Sequence, residues 1–249
     1  MTDFRIIHGF HAVTSRLRSA PEAVREVYID AARNDRRGTD LLKLAASRSV
    51  RVITVDAHRL NGMTAHARHQ GVAASVTPTK LPTHIDDVLD TLTEPALLLI
   101  LDGVTDPHNL GACLRVADAM GVHAVIAPKD RAVGLNATVC KVASGAAEHV
   151  PYIPVTNLAR TLRDLKARDI WITGTDENAP VELNAARLDG ARALVLGAEG
   201  EGMRRLTREN CDELIRIPMR GSVESLNVSV SAGICLFEAR RQRGSGVGR

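Results

Sequence analysis

Aromatic residues are scarce in this chain, at 2% of its 249 positions, while hydrophobic residues as a whole make up 45%. The core must therefore consist of aliphatic side chains and alanine, and the hydrophobic content is high enough to exclude a disordered chain. So few rings also argue against a protein that binds single-stranded nucleic acid mainly by stacking bases on aromatic platforms.

Cysteine is rare too, with four residues, and none forms a CxxC pair or lies in metal-ligand spacing with histidine. Cys113 and Cys235 fall within apolar helical patterns, which predicts small buried side chains and reduced thiols. No secretory leader is visible, and the longest apolar run, Ala96–Leu101, is far too short to cross a bilayer. We therefore expect a cytoplasmic protein that needs neither a membrane nor a metal ion.

The net charge of +3 conceals a division along the chain. Residues 1–76 contain 12 Lys and Arg against 7 Asp and Glu, and 11 of these basic residues are arginine. Residues 77–249 contain 20 basic and 22 acidic residues. Because guanidinium groups suit phosphate contacts, the first third is the candidate for binding nucleic acid, although a solvated surface of mixed charge fits the counts nearly as well.

The same position separates two predicted domains. Residues 77–83 contain two prolines and no hydrophobic periodicity, which is typical of a linker. Residues 1–76 alternate short helical and strand patterns and predict a small α/β domain. In residues 84–242, buried strands alternate with helices, which predicts a mostly parallel sheet with helices on both faces. Residues 243–249, rich in Gly and Arg, are predicted to form a disordered tail.

Ligands bind such sheets at the carboxyl ends of the strands, so the loops after Leu101, Leu196 and Ile217 are the candidates for chemistry. In the first loop Asn109 is predicted to cap a helix. Arg115 stands off the apolar stripe of that helix, one turn past Gly111, which leaves space beside it. Taken alone, a helix cap and a surface arginine explain this loop best.

The second loop, residues 197–203, has three glycines and two carboxylates but does not match the dinucleotide-binding pattern G-x-G-x-x-G. In the third loop Pro218 ends a strand, and Ser225 or Asn227 is predicted to cap the last helix. That helix is apolar nearly all round, which predicts that it is buried.

Together the three loops resemble, in order and spacing, the three motifs of the SpoU (TrmH-type) branch of the SPOUT RNA methyltransferases. The first motif is carried by Asp106, Asn109, Gly111, Arg115, Ala117 and Gly121. The second is carried by Gly197, Glu199, Gly200, Gly202 and Met203. The third is carried by residues 217–219, Gly221 and 225–229. The opening His8–Val13 and residues 200–209 resemble the rRNA-modifying members in particular, so the likeness covers nearly the whole chain.

This resemblance implies a fold and an activity. The fold would be a parallel sheet with a C-terminal trefoil knot, preceded by an N-terminal domain that is similar to ribosomal protein L30 and helps to bind RNA. The activity would be transfer of a methyl group from S-adenosyl-L-methionine to the 2'-hydroxyl of a guanosine in the peptidyl-transferase region of 23S rRNA, during ribosome maturation. The product of the donor is S-adenosyl-L-homocysteine, and members of the branch are homodimers with the active site near the interface.

The resemblance also assigns residues. The cofactor would be held largely by backbone groups of Gly197, Ile217 and Leu226, with its adenine among apolar side chains such as Met219 and Leu226.

The proton of the ribose hydroxyl has several candidate acceptors. The branch assigns it to Arg115, but a guanidinium group stays protonated at neutral pH. Arg115 would then bind a phosphate or stabilise the developing alkoxide, and Glu199, or a water that it orients, would be the base. Asn109 and Asn227 would orient groups in the site.

Three other functions remain open. A tRNA 2'-O-methyltransferase of the same branch shares all three motifs. A non-catalytic RNA-binding factor would keep the fold, but it would be expected to lose some of Arg115, Glu199 and Asn227. A nucleotide-dependent oxidoreductase rests only on the glycine-rich loop and lacks the required strand and helix context.

Overall fold

The computed structural model describes residues 4–77, 81–223 and 225–244. The chain divides into two compact units, Met1–Lys80 and Leu81–Arg249, and the division falls inside the stretch 77–83 that was predicted as a linker. Within the described ranges no helix is long and apolar enough to span a bilayer.

The N-terminal unit is a four-stranded sheet with three helices. Its strands are β1 (Arg5–His8), β2 (Val24–Asp30), β3 (Arg51–Val55) and β4 (Val72–Val76), and its helices are α1 (Phe10–Ser19), α2 (Arg36–Ser47) and α3 (Ala57–Met63). The strand order is β1-β4-β2-β3, with β4 antiparallel to both neighbours and β2 parallel to β3.

Successive side chains of a strand point to opposite faces, so the residues of β4 pack alternately into the hydrophobic cores on the two sides of the sheet. Val72 and Ala74 pack on the side covered by α1 and α2, while Ala73 packs on the side where Leu60 of α3 is buried. The short strand β1 and the helix α3 were not predicted from the sequence.

The C-terminal unit contains a seven-stranded sheet in which every pair of neighbours is parallel. Its strands are β5 (Leu97–Asp102), β6 (Ala124–Pro128), β7 (Tyr152–Val155), β8 (Trp171–Thr175), β9 (Val181–Glu182), β10 (Arg192–Gly197) and β11 (Glu213–Arg216). The strand order is β7-β6-β5-β10-β8-β11-β9. The predicted parallel sheet is therefore confirmed.

Helices cover both faces of this sheet, as predicted. They are α4 (Ile85–Leu89), α5 (Pro107–Ala119), α6 (Ala137–Ala143), α7 (Leu158–Lys166), α8 (Arg205–Glu209) and α9 (Val228–Gly244). Leu97, Leu99 and Leu101 of β5 pack in the hydrophobic core between the sheet and α5, α6 and α9. Leu98 and Ile100 pack on the other face, in the core between the sheet and α4 and α7. Burial on both sides is the reason that β5 is an uninterrupted apolar run.

The start of α5 differs from the prediction. Asp106 is its N-terminal cap, because its Oδ1 accepts a hydrogen bond from the backbone N–H of His108 at 3.0 Å, and Pro107 occupies the first helical position. The prediction that Asn109 caps this helix is wrong. Asn109 lies in the first turn, where its side chain is available for other contacts.

The last helix corrects two further predictions. Its apolar residues do not all lie in the core, because Val230, Ile234 and Phe237 are 48%, 37% and 60% exposed. The helix also continues past residue 242 and ends at Gly244, so residues 243 and 244 belong to α9. The guanidinium group of Arg243 donates to the backbone carbonyls of Pro95, Ala96 and Gly190, which anchors this end of the helix. The rest of the predicted tail lies outside the described residues.

Candidate functional site

The three loops meet at one carboxylate oxygen. Glu199 Oε1 accepts hydrogen bonds from Asn109 Nδ2 at 3.2 Å, from Asn227 Nδ2 at 2.8 Å and from the backbone N–H of Val228 at 3.2 Å. Asn227 Nδ2 also donates to Asn109 Oδ1 at 2.8 Å. The structure thus brings together three of the four predicted catalytic residues, one from each loop.

A tight turn after β10 presents Glu199. Ala198 and Gly202 exchange two backbone hydrogen bonds, of 3.1 and 2.9 Å, so the chain reverses and Glu199 lies within the turn. A Cβ atom on Gly197 would overlap the backbone of Gly202 and Met203. Only glycine fits at position 197, because the backbone of Gly202 and Met203 approaches it closely.

Asn227 is fixed by the helix that it precedes. Its Oδ1 accepts from the backbone N–H of Ser229 at 2.9 Å and from Ser229 Oγ at 2.6 Å, which is the arrangement of an N-terminal cap on α9. The predicted capping role is confirmed for Asn227. Because its oxygen is occupied by the cap, its amide N–H groups point to Asn109 and Glu199.

Arg115 stands apart from this network. It is exposed on α5, as predicted, six residues past Asn109, which is about 9 Å along the helix axis. Its guanidinium group makes no hydrogen bond or ion pair with the described part of the chain. The free cation is available to an anion from outside the chain.

The space beside Gly111 is not open, contrary to the prediction. A Cβ atom there would lie 2.7 Å from Val142 Cβ and 2.9 Å from the carbonyl oxygen of Val139, both on α6. Glycine at position 111 therefore lets α6 pack closely on α5, and it makes no room for Arg115.

The four predicted cofactor residues lie at the carboxyl edge of the sheet or in the loop that leaves it. Gly197 ends β10, and Ile217 directly follows β11. Met219 and Leu226 lie in the loop between β11 and α9, and all four residues are half-buried. Half-burial leaves apolar surface accessible next to backbone groups, which suits a ligand with an apolar ring.

A cavity of about 450 Å³ opens beside α9. It is lined by Ile217 and Pro218 and by the exposed side chains of Ile234 and Phe237. Of the predicted cofactor residues only Ile217 borders it, so this cavity and the predicted cofactor loops are neighbouring features.

Sequence reasoning missed Asp102, the last residue of β5. Its side chain is fully buried, and Oδ2 accepts the backbone N–H of Arg204 at 2.9 Å, while Oδ1 faces Arg204 Nε at 3.5 Å. Arg204 Nη2 donates in turn to the carbonyl of Asp130 at 3.2 Å. These contacts hold Arg204, which follows the turn containing Glu199, against the end of β5. An acidic residue directly after five buried apolar residues was the available signal.

We expect Asp102→Asn to destabilise the C-terminal unit by about 1–3 kcal/mol, because the buried side chain loses its charge opposite Arg204. The measurement is the denaturant midpoint for unfolding of that unit. Asp118→Asn, an exposed carboxylate on α5, is the control and should shift the midpoint little. Equal midpoints for the two variants would remove Asp102 from this structural role.

Cys113 on α5 is a buried thiol whose pKa is affected by Glu199. Burial raises its pKa to about 12, and the charge of Glu199 adds to the shift. Cys113 is thus a protonated, buried side chain at neutral pH, and it does not act as a nucleophile. Burial likewise raises the pKa of Cys235 to about 12, so the prediction that both side chains are buried is confirmed. Within the described ranges, no group of three or more His, Cys, Asp or Glu could hold a metal ion.

Comparison with protein families gives two matches. Residues 96–237 match the SpoU rRNA methylase family, and residues 6–82 match a domain described as RNA 2'-O ribose methyltransferase substrate binding. The first match covers the whole glutamate–asparagine network, and the second covers the basic N-terminal unit.

Two of the similar proteins extend over nearly the whole chain, and a third covers about two thirds of it. The 23S rRNA (guanosine-2'-O-)-methyltransferase RlmB of Ralstonia nicotianae is 60% identical over 243 residues, which is 98% of each chain. The SpoU methyltransferase AviRb of Streptomyces viridochromogenes, solved with AdoMet, has a TM-score of 0.67 at 26% identity and covers 98% of this chain and 91% of its own. The A. aeolicus TrmH/SpoU tRNA-modifying enzyme, with a TM-score of 0.56 at 30% identity, covers 65% of this chain and 81% of its own.

Proposed function

The chain belongs to the SpoU rRNA methylase family, and we propose that it methylates the 2'-hydroxyl of a guanosine in 23S rRNA with S-adenosyl-L-methionine as donor. The observation that carries the proposal is the convergence of Asn109, Glu199 and Asn227, three polar residues from three loops at the carboxyl edge of the sheet. We place the target in the peptidyl-transferase region and the enzyme in the cytoplasm, where ribosomes mature.

The choice of rRNA over tRNA follows from the extent of the similarity. The relatives named for 23S rRNA match 96% or more of this chain, including the N-terminal unit. The tRNA-modifying relative covers only 65% of it. Since the basic N-terminal unit matches an RNA substrate-binding domain, we assign substrate binding to residues 1–76.

The residues at the predicted cofactor site fit S-adenosyl-L-methionine. Ile217, Met219 and Leu226 offer half-buried apolar surface for an adenine ring, and Gly197 lies at the carboxyl edge of the sheet, where β10 ends. When bound, the donor supplies an electrophilic methyl group on a sulfonium that is also the leaving group. The contribution of the chain is to align the ribose oxygen and to handle its proton.

Glu199 is the proton acceptor in this proposal. Its Oε1 is held by three donors, whereas Oε2 makes no hydrogen bond within the described ranges and is free to accept from a ribose hydroxyl. Asn109 and Asn227 orient the carboxylate. Arg115 carries a fixed positive charge, which binds a phosphate of the target or stabilises the developing alkoxide.

We assign a homodimer and a trefoil knot to this chain as well. The exposed apolar residues Val230, Ile234 and Phe237 lie three or four positions apart and form one stripe along α9. We propose that a second copy of the chain buries this stripe in the dimer interface. The bond from the start of α9 at Val228 to Glu199 holds the C-terminal segment against the turn after β10, which is where the proposed knot would place it.

Phe237→Glu is expected to convert the dimer to monomer, because a charge replaces the most exposed side chain of the apolar stripe. The measurement is molar mass by light scattering at micromolar concentration. Glu replacing exposed Leu42, in the N-terminal unit, is the control and should leave the mass unchanged. If the wild type is monomeric, or if the Phe237 variant stays dimeric, α9 does not form the interface.

The proposed function is tested by mapping ribose methylation in rRNA from a strain that lacks this gene. We expect one 2'-O-methylguanosine of 23S rRNA to disappear and to return when the intact gene is restored. Loss of a modification in tRNA, or no loss at all, would overturn the assignment.

A further inference from the structure

A second cavity, of about 470 Å³, lies in the N-terminal unit between α1 and α2. Its apolar floor consists of Leu41, which is buried, and of Phe10 and Leu44, which are half-buried. We call this cavity the α1–α2 groove.

The aromatic ring in the floor of the groove, Phe10, is held in place. The Arg33 guanidinium lies 4.5 Å from the centroid of the Phe10 ring. Arg33 also donates to both carboxylate oxygens of Asp35 and to the carbonyl of Gln70. Because these bonds fix Arg33, the Phe10 ring is positioned before any ligand binds.

Two cations on the groove have no carboxylate partner. Arg18 on α1 and Arg37 on α2 both line it, both are exposed, and neither makes a hydrogen bond or ion pair with the described residues. Other arginines of the unit do, since Arg33 pairs with Asp35 and Arg51 pairs with Glu26. Unpaired guanidinium groups beside an apolar floor match an anion that is joined to an apolar body.

A carboxylate completes the set. Asp40 lines the groove and lies 3.9 Å from Arg36 of its own helix. An ionised carboxylate only accepts hydrogen bonds, so it favours a ligand that presents N–H groups and disfavours one without them. The groove therefore combines apolar side chains, two unpaired arginines and one carboxylate.

We infer that the α1–α2 groove binds a single unstacked nucleotide of the RNA substrate. The base packs on Phe10, Leu41 and Leu44, its flanking phosphates contact Arg18 and Arg37, and an amino-bearing base edge donates to Asp40. Proteins that recognise RNA loops hold such turned-out bases in this way. The inference rests on the proposed function, because it assumes that the substrate is RNA.

The test compares two double variants of the full chain that lose the same charge. Arg18→Gln/Arg37→Gln removes the groove cations, and Arg48→Gln/Arg68→Gln removes two exposed arginines elsewhere in the unit. The probe is a transcript of the peptidyl-transferase region of 23S rRNA, followed by fluorescence anisotropy across a salt series. For the groove variant we expect affinity to fall about tenfold or more and the salt slope to decrease by about 2. The control should lose much less of both.

A third variant separates the groove from its charge. Leu44→Trp keeps every charge and fills the floor, so it should also weaken RNA binding and raise KM, with kcat little changed at saturating RNA. Circular dichroism confirms that each variant is folded. Equal losses for the two arginine pairs, or full affinity for Leu44→Trp, would overturn the groove as a nucleotide site. If the groove is overturned in this way but the wild-type enzyme methylates the transcript, the proposed function stands. If the wild-type enzyme binds the transcript but never methylates it, the proposed function is refuted, whatever the result for the groove.

Discussion

Replacement of Glu199 by glutamine is expected to slow methyl transfer by about 10²–10⁴-fold, because a neutral amide cannot take the ribose proton. Glutamine has nearly the same shape, and its amide oxygen can still accept from Asn109, Asn227 and the Val228 N–H. The loss should therefore appear in the single-turnover rate at saturating RNA and donor.

The neighbouring carboxylate provides the control for this experiment. Glu201 lies in the same turn and is exposed, so Glu201→Gln removes one charge without touching the network. The affinity for S-adenosyl-L-homocysteine, measured by calorimetry, should change little in both variants. A Glu199→Gln enzyme with near-normal turnover would limit Glu199 to holding Asn109 and Asn227 in place.

Arg115→Ala is expected to lower kcat by about 10²–10³-fold, the usual cost of removing one group that stabilises a developing oxyanion. The side chain is exposed and makes no bond within the described chain, so the fold and donor affinity should be preserved. Arg163→Ala is the matched control, since Arg163 is an exposed arginine on α7, which packs on the opposite face of the sheet.

The Arg115→Lys variant distinguishes a charge from a base. If Arg115 supplies a fixed positive charge, lysine should restore part of the activity at neutral pH, and that activity should decline as the amine deprotonates near pH 10. If the residue accepts the proton, the rate should instead rise over the same range. Normal turnover of Arg115→Ala would exclude both roles.

The sequence predicted which loops carry the site because fully buried parallel strands leave a strong pattern. Leu97–Leu101 is apolar without interruption, and a parallel sheet brings the ends of its strands to one edge. The contact between Asn109 and Asn227 could not be found in this way. The two residues are 118 positions apart, and periodicity describes only local structure.

Local ambiguity explains the other errors. Asp106 and Asn109 both suit a helix cap, and only the hydrogen bond to His108 decides between them. A glycine at position 111 is equally consistent, in the sequence, with space for Arg115 and with close packing of α6, and only the structure shows that it allows the packing of α6. A helix that is apolar all round, such as α9, does not reveal which apolar face meets the core and which, with Phe237, remains exposed.

The most direct test of the account is to identify the atom that receives the methyl group. Purified enzyme would be incubated with labelled S-adenosyl-L-methionine and either a 23S rRNA transcript or a tRNA pool, and nucleosides would be separated after complete digestion. We predict label in 2'-O-methylguanosine from the 23S transcript alone, and far less of it with Glu199→Gln under the same conditions. Label on a base, or on tRNA in preference to 23S rRNA, would contradict it.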